Sequence, residues 1–304
     1  MKFNKPAKTI EEQLALLIER GLIVEDRISA MHYLRHLNYY RLAAYWLPFE
    51  STHFPHRFIE NTRFEQVLNY YLFDRELRIL LLGVIELIEV SLRTQWAYHL
   101  SHQYGSHGYL INTKAMQKNS QRFDMNCHSL QEQINRSDEE FIKHYKKTYD
   151  EAFPPAWVSC EIMSLGLLSK FYSNLRAYGV RQKMATTYGM DEGFLEGAME
   201  HICYIRNICA HHSRLWNRHL TKKMPLPKGK PTGLRENMNI DAEHNLYNSL
   251  VLLQHFIGVI SPAHGWATKL FDLIQLYKID LSKMGFPENW LQLPIWQPIL
   301  LEKI

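Results

Sequence analysis

From Thr62 to Trp96 the apolar side chains Val67, Tyr71, Leu77, Leu81, Val84, Ile88, Leu92 and Trp96 recur at helical intervals, with no proline between them. A helix this long needs other helices to cover its apolar stripe, and the flanking sequence supplies them. Thr9 with Glu12, Thr62 with Glu65, and Ser137 with Glu140 each have capping-box spacing, in which hydroxyl and acid satisfy the first helix amides reciprocally. Behind Thr9, EEQLALLIERG predicts a helix ending on Gly21. Asp26 opens a second through Leu37, and YYRLAAYWLPF follows closely. Within the long helix, Gly83 is read as a kink or a close helix crossing. Residues 112–136 are more polar and read as loops with one short helix. After FPPAW the pattern predicts one helix from Val158 to Leu175, and another from Asp191 into the region of Arg206. Two more fit Asp241–Ile260 and Pro262–Ile279. Trp290 and Trp296 lie among prolines in a tail expected to pack irregularly. No alternating strand of useful length and no internal repeat is visible. The expected fold class is all-α, a single domain over residues 1–304. It would comprise an N-terminal helical part (about 1–60), a core (about 61–279) and an irregular tail (280–304).

Composition narrows the function classes. A net charge of +4 is too small for a protein that coats nucleic acid by charge alone, yet it allows a local basic groove. Aromatic content of 12% suits a packed core and base stacking equally, so it separates neither. Cys127, Cys160, Cys203 and Cys209 show no CxxC spacing and read as reduced, buried thiols in a cytoplasm. The segment MKFNKPAKTIEEQ lacks an apolar signal core. The most apolar run, ILLLGVIELIEVSL, is interrupted by Glu86 and Glu89 and falls short of the ~18 apolar residues of a membrane span. A cytoplasmic protein without a membrane segment is expected.

The chemistry concentrates in IRNICAHHSRLWNR. RNA is cut without a metal when a base takes the 2′-hydroxyl proton, the 2′-oxygen attacks phosphorus, and an acid protonates the leaving 5′-oxygen. Histidine suits both proton transfers, and a fork-shaped, permanently charged Arg suits the phosphorane oxygens. Asn207 and His211, four apart, share a helix face, with Arg206 beside Asn207 and Arg214 between those directions. Arg206 and His211 are about 140° apart on an ideal helix. Either the helix loosens near His211, or the pair closes on substrate from two sides of a groove, or a dimer joins two such helices. Arg followed by His after four to six residues also occurs at Arg27–His32, Arg93–His99, Arg122–His128 and Arg214–His219. Context separates Arg206: an adjacent Asn, the small Ala210, a second histidine, and Trp216-Asn217-Arg218 beyond.

Four stretches carry a resemblance: HLNYYRLAAYW (His36–Trp46), YLFDRELRILLLGVIELIEVSLR (Tyr71–Arg93), PAWVSCEIMSLGLLSKFYSNL (Pro155–Leu175) and RNICAHHSRLWNR (Arg206–Arg218). The chain resembles the Abi family of bacterial phage-abortive-infection proteins, the AbiD/AbiF group, whose ribonuclease domain belongs to the HEPN superfamily. The last stretch fits that superfamily's Arg-x4-6-His motif with Asn after Arg. The resemblance implies a multi-helix HEPN-like bundle with additional N- and C-terminal helices, metal-independent endoribonuclease activity, no cofactor and a homodimeric composite site. It also implies an anti-phage toxin, held silent in some relatives by a small structured antitoxin RNA. By the same resemblance Arg206 stabilises the phosphate, Asn207 orients the site and His211 is the acid/base. His212 fits the spacing too, so the choice between the histidines stays open.

Glu86, Glu89 and Arg93 fall within one narrow helical arc with apolar neighbours, so the acids are not expected on a freely solvated face. They either orient Arg206 or His211 from a packed partner helix or form an internal ion pair. Arg214 and Arg218, with Lys222, Lys223, Lys228 and Lys230 of the loop that follows, are candidates for tracking an RNA backbone, the alternative being a solvated basic loop. His201, Cys203, Cys209, His211 and His212 would all come from about three turns of one helix, which disfavours zinc; no metal site is expected. Tyr39, Tyr40, Tyr45 and Trp46 read as core rather than as a stacking platform. The competing function is a catalytically silent RNA-binding module using the same Arg/His cleft.

Overall fold

The computed structural model describes residue 2 and residues 6–297. Among them are twelve α-helices and one two-stranded hairpin, so the protein is all-α. The chain divides into two compact units. One takes the chain up to Arg78 with Asp272–Ile279; the other takes Ile79–Phe271 and the chain from Asp280 onward.

In the first unit, α1 (Ile10–Glu19), α2 (Arg27–His36) and α3 (Tyr39–Trp46) precede the hairpin β1 (Glu50–His53) and β2 (His56–Phe58). The Thr9–Glu12 capping box forms on α1, and Asp26 caps α2 through the Ser29 amide. Leu17, Ala30, Leu42, Tyr45, Trp46 and Val67 bury an apolar centre, whereas Tyr40 is exposed. A polar knot sits inside it. Tyr45 donates its hydroxyl to Asp74 at 2.6 Å, and Arg78 pairs with the same carboxylate; both charged side chains are buried.

Helix α4 (Phe64–Tyr104) begins in this unit and continues into the other. Its stripe of Leu81, Val84, Ile85, Ile88, Leu92 and Trp96 is buried in the second unit, as the periodicity predicts. Three expectations fail along the chain. Thr62 gives its hydroxyl to the Ile59 carbonyl, and Gln66 takes over the reciprocal role by accepting from the Arg63 amide. Ser137 accepts from the Glu139 amide instead of capping through Glu140. Gly83 marks no close crossing, because a Cβ built there meets nothing within 4 Å, and α4 continues through it as one helix.

The second unit adds α5 (Ser120–Arg136), α6 (Glu140–Thr148), α7 (Ala156–Ile162), α8 (Leu165–Asn174), α9 (Tyr178–Thr187), α10 (Glu192–Ala210), α11 (Tyr247–Ile260) and α12 (Trp266–Tyr277), the last crossing into the first unit. Helix α5 is longer than the short helix expected there, and α9 has no counterpart among the expected helices. The helix predicted over 158–175 is two. Met163 is extended at ψ 133°, and Ser164 starts α8 by accepting from the Leu167 amide. The tail packs through short 3₁₀ turns, with Trp290 and Trp296 buried and Trp296 Nε1 donating to Tyr247 at 3.1 Å. Among the described residues no helix is long and apolar enough to cross a membrane.

Candidate functional site

Helix α10 buries Phe194, Leu195, Ala198, Met199, Ile202, Ile205, Ile208 and Cys209. A second stripe, Glu196, Glu200, Cys203 and Asn207, runs along another side at spacings of four, three and four. It faces Gly166, Ser169, Lys170 and Ser173 of α8 across a groove of about 480 Å³, which Tyr204 and Lys222 also line. Gly166 sets the closeness of the walls, since a Cβ there would stand 3.3 Å from Cys203 Sγ.

The three central residues lie on and just past the last turns of α10. Arg206, half-buried, donates from Nη1 to Asn207 Oδ1 at 3.2 Å, and Asn207 Nδ2 reaches Cys203 Sγ at 3.8 Å. Burial raises the Cys203 thiol above its ordinary pKa, with the Arg206 charge opposing, so it is held as the thiol. The helix then stops. Ser213 N–H bonds to Ile208 O at 2.9 Å and His212 N–H to Cys209 O at 3.0 Å, the paired bonds of a Schellman ending. His211 is the cap, and His212 takes the left-handed conformation at φ +55° that glycine usually fills there. Both imidazoles are thereby exposed. The ideal-helix separation between Arg206 and His211 does not extend past Ala210, so the helix ends where loosening was one of the three alternatives. No side-chain hydrogen bond joins His211 to Arg206 or Asn207 among the described residues.

Glu89 and Arg93 form the internal ion pair at 2.5 Å, and Arg93 also donates to the Met163 carbonyl at 2.7 Å. That carbonyl is free because α7 ends there. The Glu89 charge still reaches the groove, where it raises the Cys203 pKa. Glu86 corrects the expectation of enclosed acids: it is exposed.

Beyond the helix, Leu215, Trp216 and Leu220 are buried and pin the chain, while Arg218 donates to the Arg214 carbonyl at 3.2 Å. Lys222 pairs with Glu200, and Lys223 with Glu243 at 2.8 Å; Lys228 and Lys230 are exposed. The Lys230 amide donates to Asp191 at the start of α10, at 2.9 Å. The five potential zinc ligands of this region do not converge. His201 is buried on Ser249 at 2.8 Å, Cys209 is buried, and His211 and His212 face solvent.

Two groove residues, Lys170 and Tyr204, escape a reading built on the Arg/His segment. Lys170 comes from α8, far away in sequence. Tyr204 stands three residues before Asn207, a spacing that could have drawn attention. Burial would raise its phenol, but hydrogen bonds from Thr221 and Arg218 hold it below the ordinary value.

Residues 32–217, well over half of the chain, match the family described as Abi-like protein. The chain belongs to this family. The matched region runs from within α2 through α8 and α10 to Asn217, so membership in an abortive-infection family covers both helical walls of the groove and the histidine pair. No curated protein and no solved structure matches this Abi-like chain.

Proposed function

We propose that this Abi-like protein is a metal-independent endoribonuclease of the HEPN type, in the AbiD/AbiF group, acting as an abortive-infection toxin. The observation that carries the reading is the Arg206–Asn207 hydrogen bond on the last turn of α10, immediately before two solvent-exposed histidines. Asn207, which lines the groove, holds the guanidinium of Arg206 beside it, and in this reading the guanidinium meets a scissile phosphate. One histidine removes the 2′-hydroxyl proton while the 2′-oxygen bonds to phosphorus. The bond to the 5′-oxygen breaks as an imidazolium, either the same ring or its counterpart in a second copy, returns a proton. The products are a 2′,3′-cyclic phosphate and a 5′-hydroxyl end.

Electrostatics favours RNA as the ligand. Lys170 and Lys222 line the groove beside Glu196 and Glu200, Arg214 and Arg218 follow the end of α10 in the chain, and Lys228 and Lys230 are exposed farther along the same basic segment. A homodimer would supply the second acid/base group that one α10 terminus does not bring to Arg206, and a small structured RNA would restrain the toxin by occupying the same surface.

The test is expression of wild type beside His211→Ala in a bacterial host, with sequencing of RNA 5′-hydroxyl ends. New ends in wild type alone support the enzyme. If purified wild type and His211→Ala bind RNA equally and neither cuts it, with or without phage infection, the chain is a silent RNA-binding module.

A further inference from the structure

The hairpin of the first unit carries a cluster that the cleavage reading does not use. Residues three apart on a regular strand point to opposite faces. Between Glu50 and Thr52 the register shifts: Glu50 pairs with Phe58 and Thr52 with Arg57, leaving Ser51 as the extra residue of a bulge. The bulge reverses the parity and turns Glu50 toward the face of His53. His53 in turn pairs across the turn with His56, so those two share a face. His53 Nδ1 stands 2.7 Å from Glu50 Oε2, and His56 Nδ1 stands 3.0 Å from Oε2 and 3.1 Å from Oε1. The carboxylate side chain is 1% exposed, whereas the rings are 59% (His53) and 35% (His56) exposed.

One buried carboxylate thus has two ring nitrogens aimed at it from the solvent side, with the three donor atoms within 4.8 Å of one another. A tetrahedral zinc ion with bonds of about 2.0–2.1 Å needs ligand separations of about 3.3 Å. The nitrogen–oxygen separations of 2.7 and 3.0 Å need to open by roughly 0.3–0.6 Å. The two ring nitrogens, which set the 4.8 Å spread of the cluster, need to close on each other by about 1.5 Å through rotation of the exposed His53 and half-exposed His56 side chains. We propose that Glu50, His53 and His56 bind a divalent transition-metal ion of the zinc class, with a fourth position open to solvent. Two imidazoles and one carboxylate suit a borderline ion; magnesium and calcium prefer oxygen ligands throughout. A metal at each Nδ1 requires that ring's proton to sit on Nε2, so the two N–H···O bonds to Glu50 give way to two N–metal bonds. The ion joins both sides of the hairpin turn to the buried end of β1.

Full-length protein stripped of metal with a chelator and titrated with Co²⁺ tests the proposal through the visible absorption of four-coordinate cobalt. One equivalent is expected to develop the band, and Zn²⁺ to displace it. His53→Ala/His56→Ala should remove that equivalent while leaving the far-UV spectrum of the metal-free protein unchanged, although the buried Glu50 carboxylate then loses two partners and the melting temperature falls. Glu50→Gln should weaken binding by about tenfold or more. Should the double variant be unstable, His53→Ala alone, with its exposed ring, carries the same expectation. Equal cobalt binding by wild type and the histidine variants, a sulfur-to-cobalt charge-transfer band, or no binding by wild type at tens of micromolar would each overturn it.

Discussion

Asn207 Oδ1 accepts a hydrogen bond from Arg206 Nη1 at 3.2 Å, so the amide one residue along the helix fixes where the guanidinium can point. Asn207 is exposed, and substitutions at such positions usually change stability by less than about 0.5 kcal/mol. Asn207→Ala is therefore expected to reduce RNA cleavage by about tenfold or more with little change in melting temperature. Paired measurements of cleavage rate and thermal unfolding check this. A cleavage loss that tracks a fall in stability would mean that Asn207 supports the helix rather than the guanidinium.

Lys170 tests whether nucleic acid uses the α8–α10 groove. It is exposed on the α8 wall, opposite the stripe that ends in Asn207. If it contacts a phosphate, Lys170→Ala should weaken RNA binding for all sequences alike. It should also reduce the slope of log affinity against log salt by about 1. Titrations at several salt concentrations in a His211→Ala background, where the proposed cleavage is expected to be suppressed, read this out. An unchanged slope would move the RNA path off α8.

The helices were legible because their apolar period is long and uninterrupted. The burial of Val84, Ile88, Leu92 and Trp96 follows directly from it. Local breaks were less legible. Met163 and Ser164 sit inside an unbroken apolar pattern, and the stop between α7 and α8 depends on Arg93, seventy residues earlier, taking the freed carbonyl. The Arg206–His211 segment announced itself by residue type, whereas its cap did not. His212 in a left-handed conformation is a tertiary outcome that spacing on an ideal helix misplaces. The hairpin was missed for a related reason: Glu50 and His53 look three apart on opposite faces until Ser51 is recognised as a bulge.

Acid should destabilise the second unit through His201. Burial lowers its folded-state pKa from 6.5 to about 4. Below pH 6.5 the unfolded chain takes a proton that the folded chain refuses. Stability is thus complete above that value and is lost progressively as pH falls toward 4, by up to about 3 kcal/mol from this group. His255, also lowered by burial, acts in the same direction. His201→Gln, which can keep a hydrogen bond to Ser249, should flatten the decline between pH 6.5 and 4.5. Urea unfolding across that range gives the answer, and parallel curves for the two proteins would count against it.

The Asp74–Arg78–Tyr45 knot should be unforgiving of partial removal. Asp74→Ala strands a buried guanidinium and is expected to cost about 3–5 kcal/mol. Tyr45→Phe removes one hydrogen bond to a carboxylate and should cost about 1–3 kcal/mol. Replacing both charges, Asp74→Leu with Arg78→Met, should be milder than Asp74→Ala alone, because no charge is then left unpaired. Urea unfolding of the three variants distinguishes this from simple additivity, which would make the double variant the worst.

Metal removal separates the two readings of this protein. The cleavage chemistry assigned to Arg206 and His211 needs no ion, whereas the hairpin is expected to hold one. EDTA on wild type should therefore lower the melting temperature through loss of the Glu50–His53–His56 ion. A stabilising ligand present at a hundred times its dissociation constant contributes about 2.7 kcal/mol. The same treatment should leave the initial rate of RNA cleavage unchanged at temperatures well below the melt. In His53→Ala/His56→Ala, EDTA should change neither quantity. Cleavage by that variant that disappears with EDTA and returns with zinc or magnesium would place a metal in the reaction itself, and the assignment of 2′-oxygen activation to histidine alone would fall.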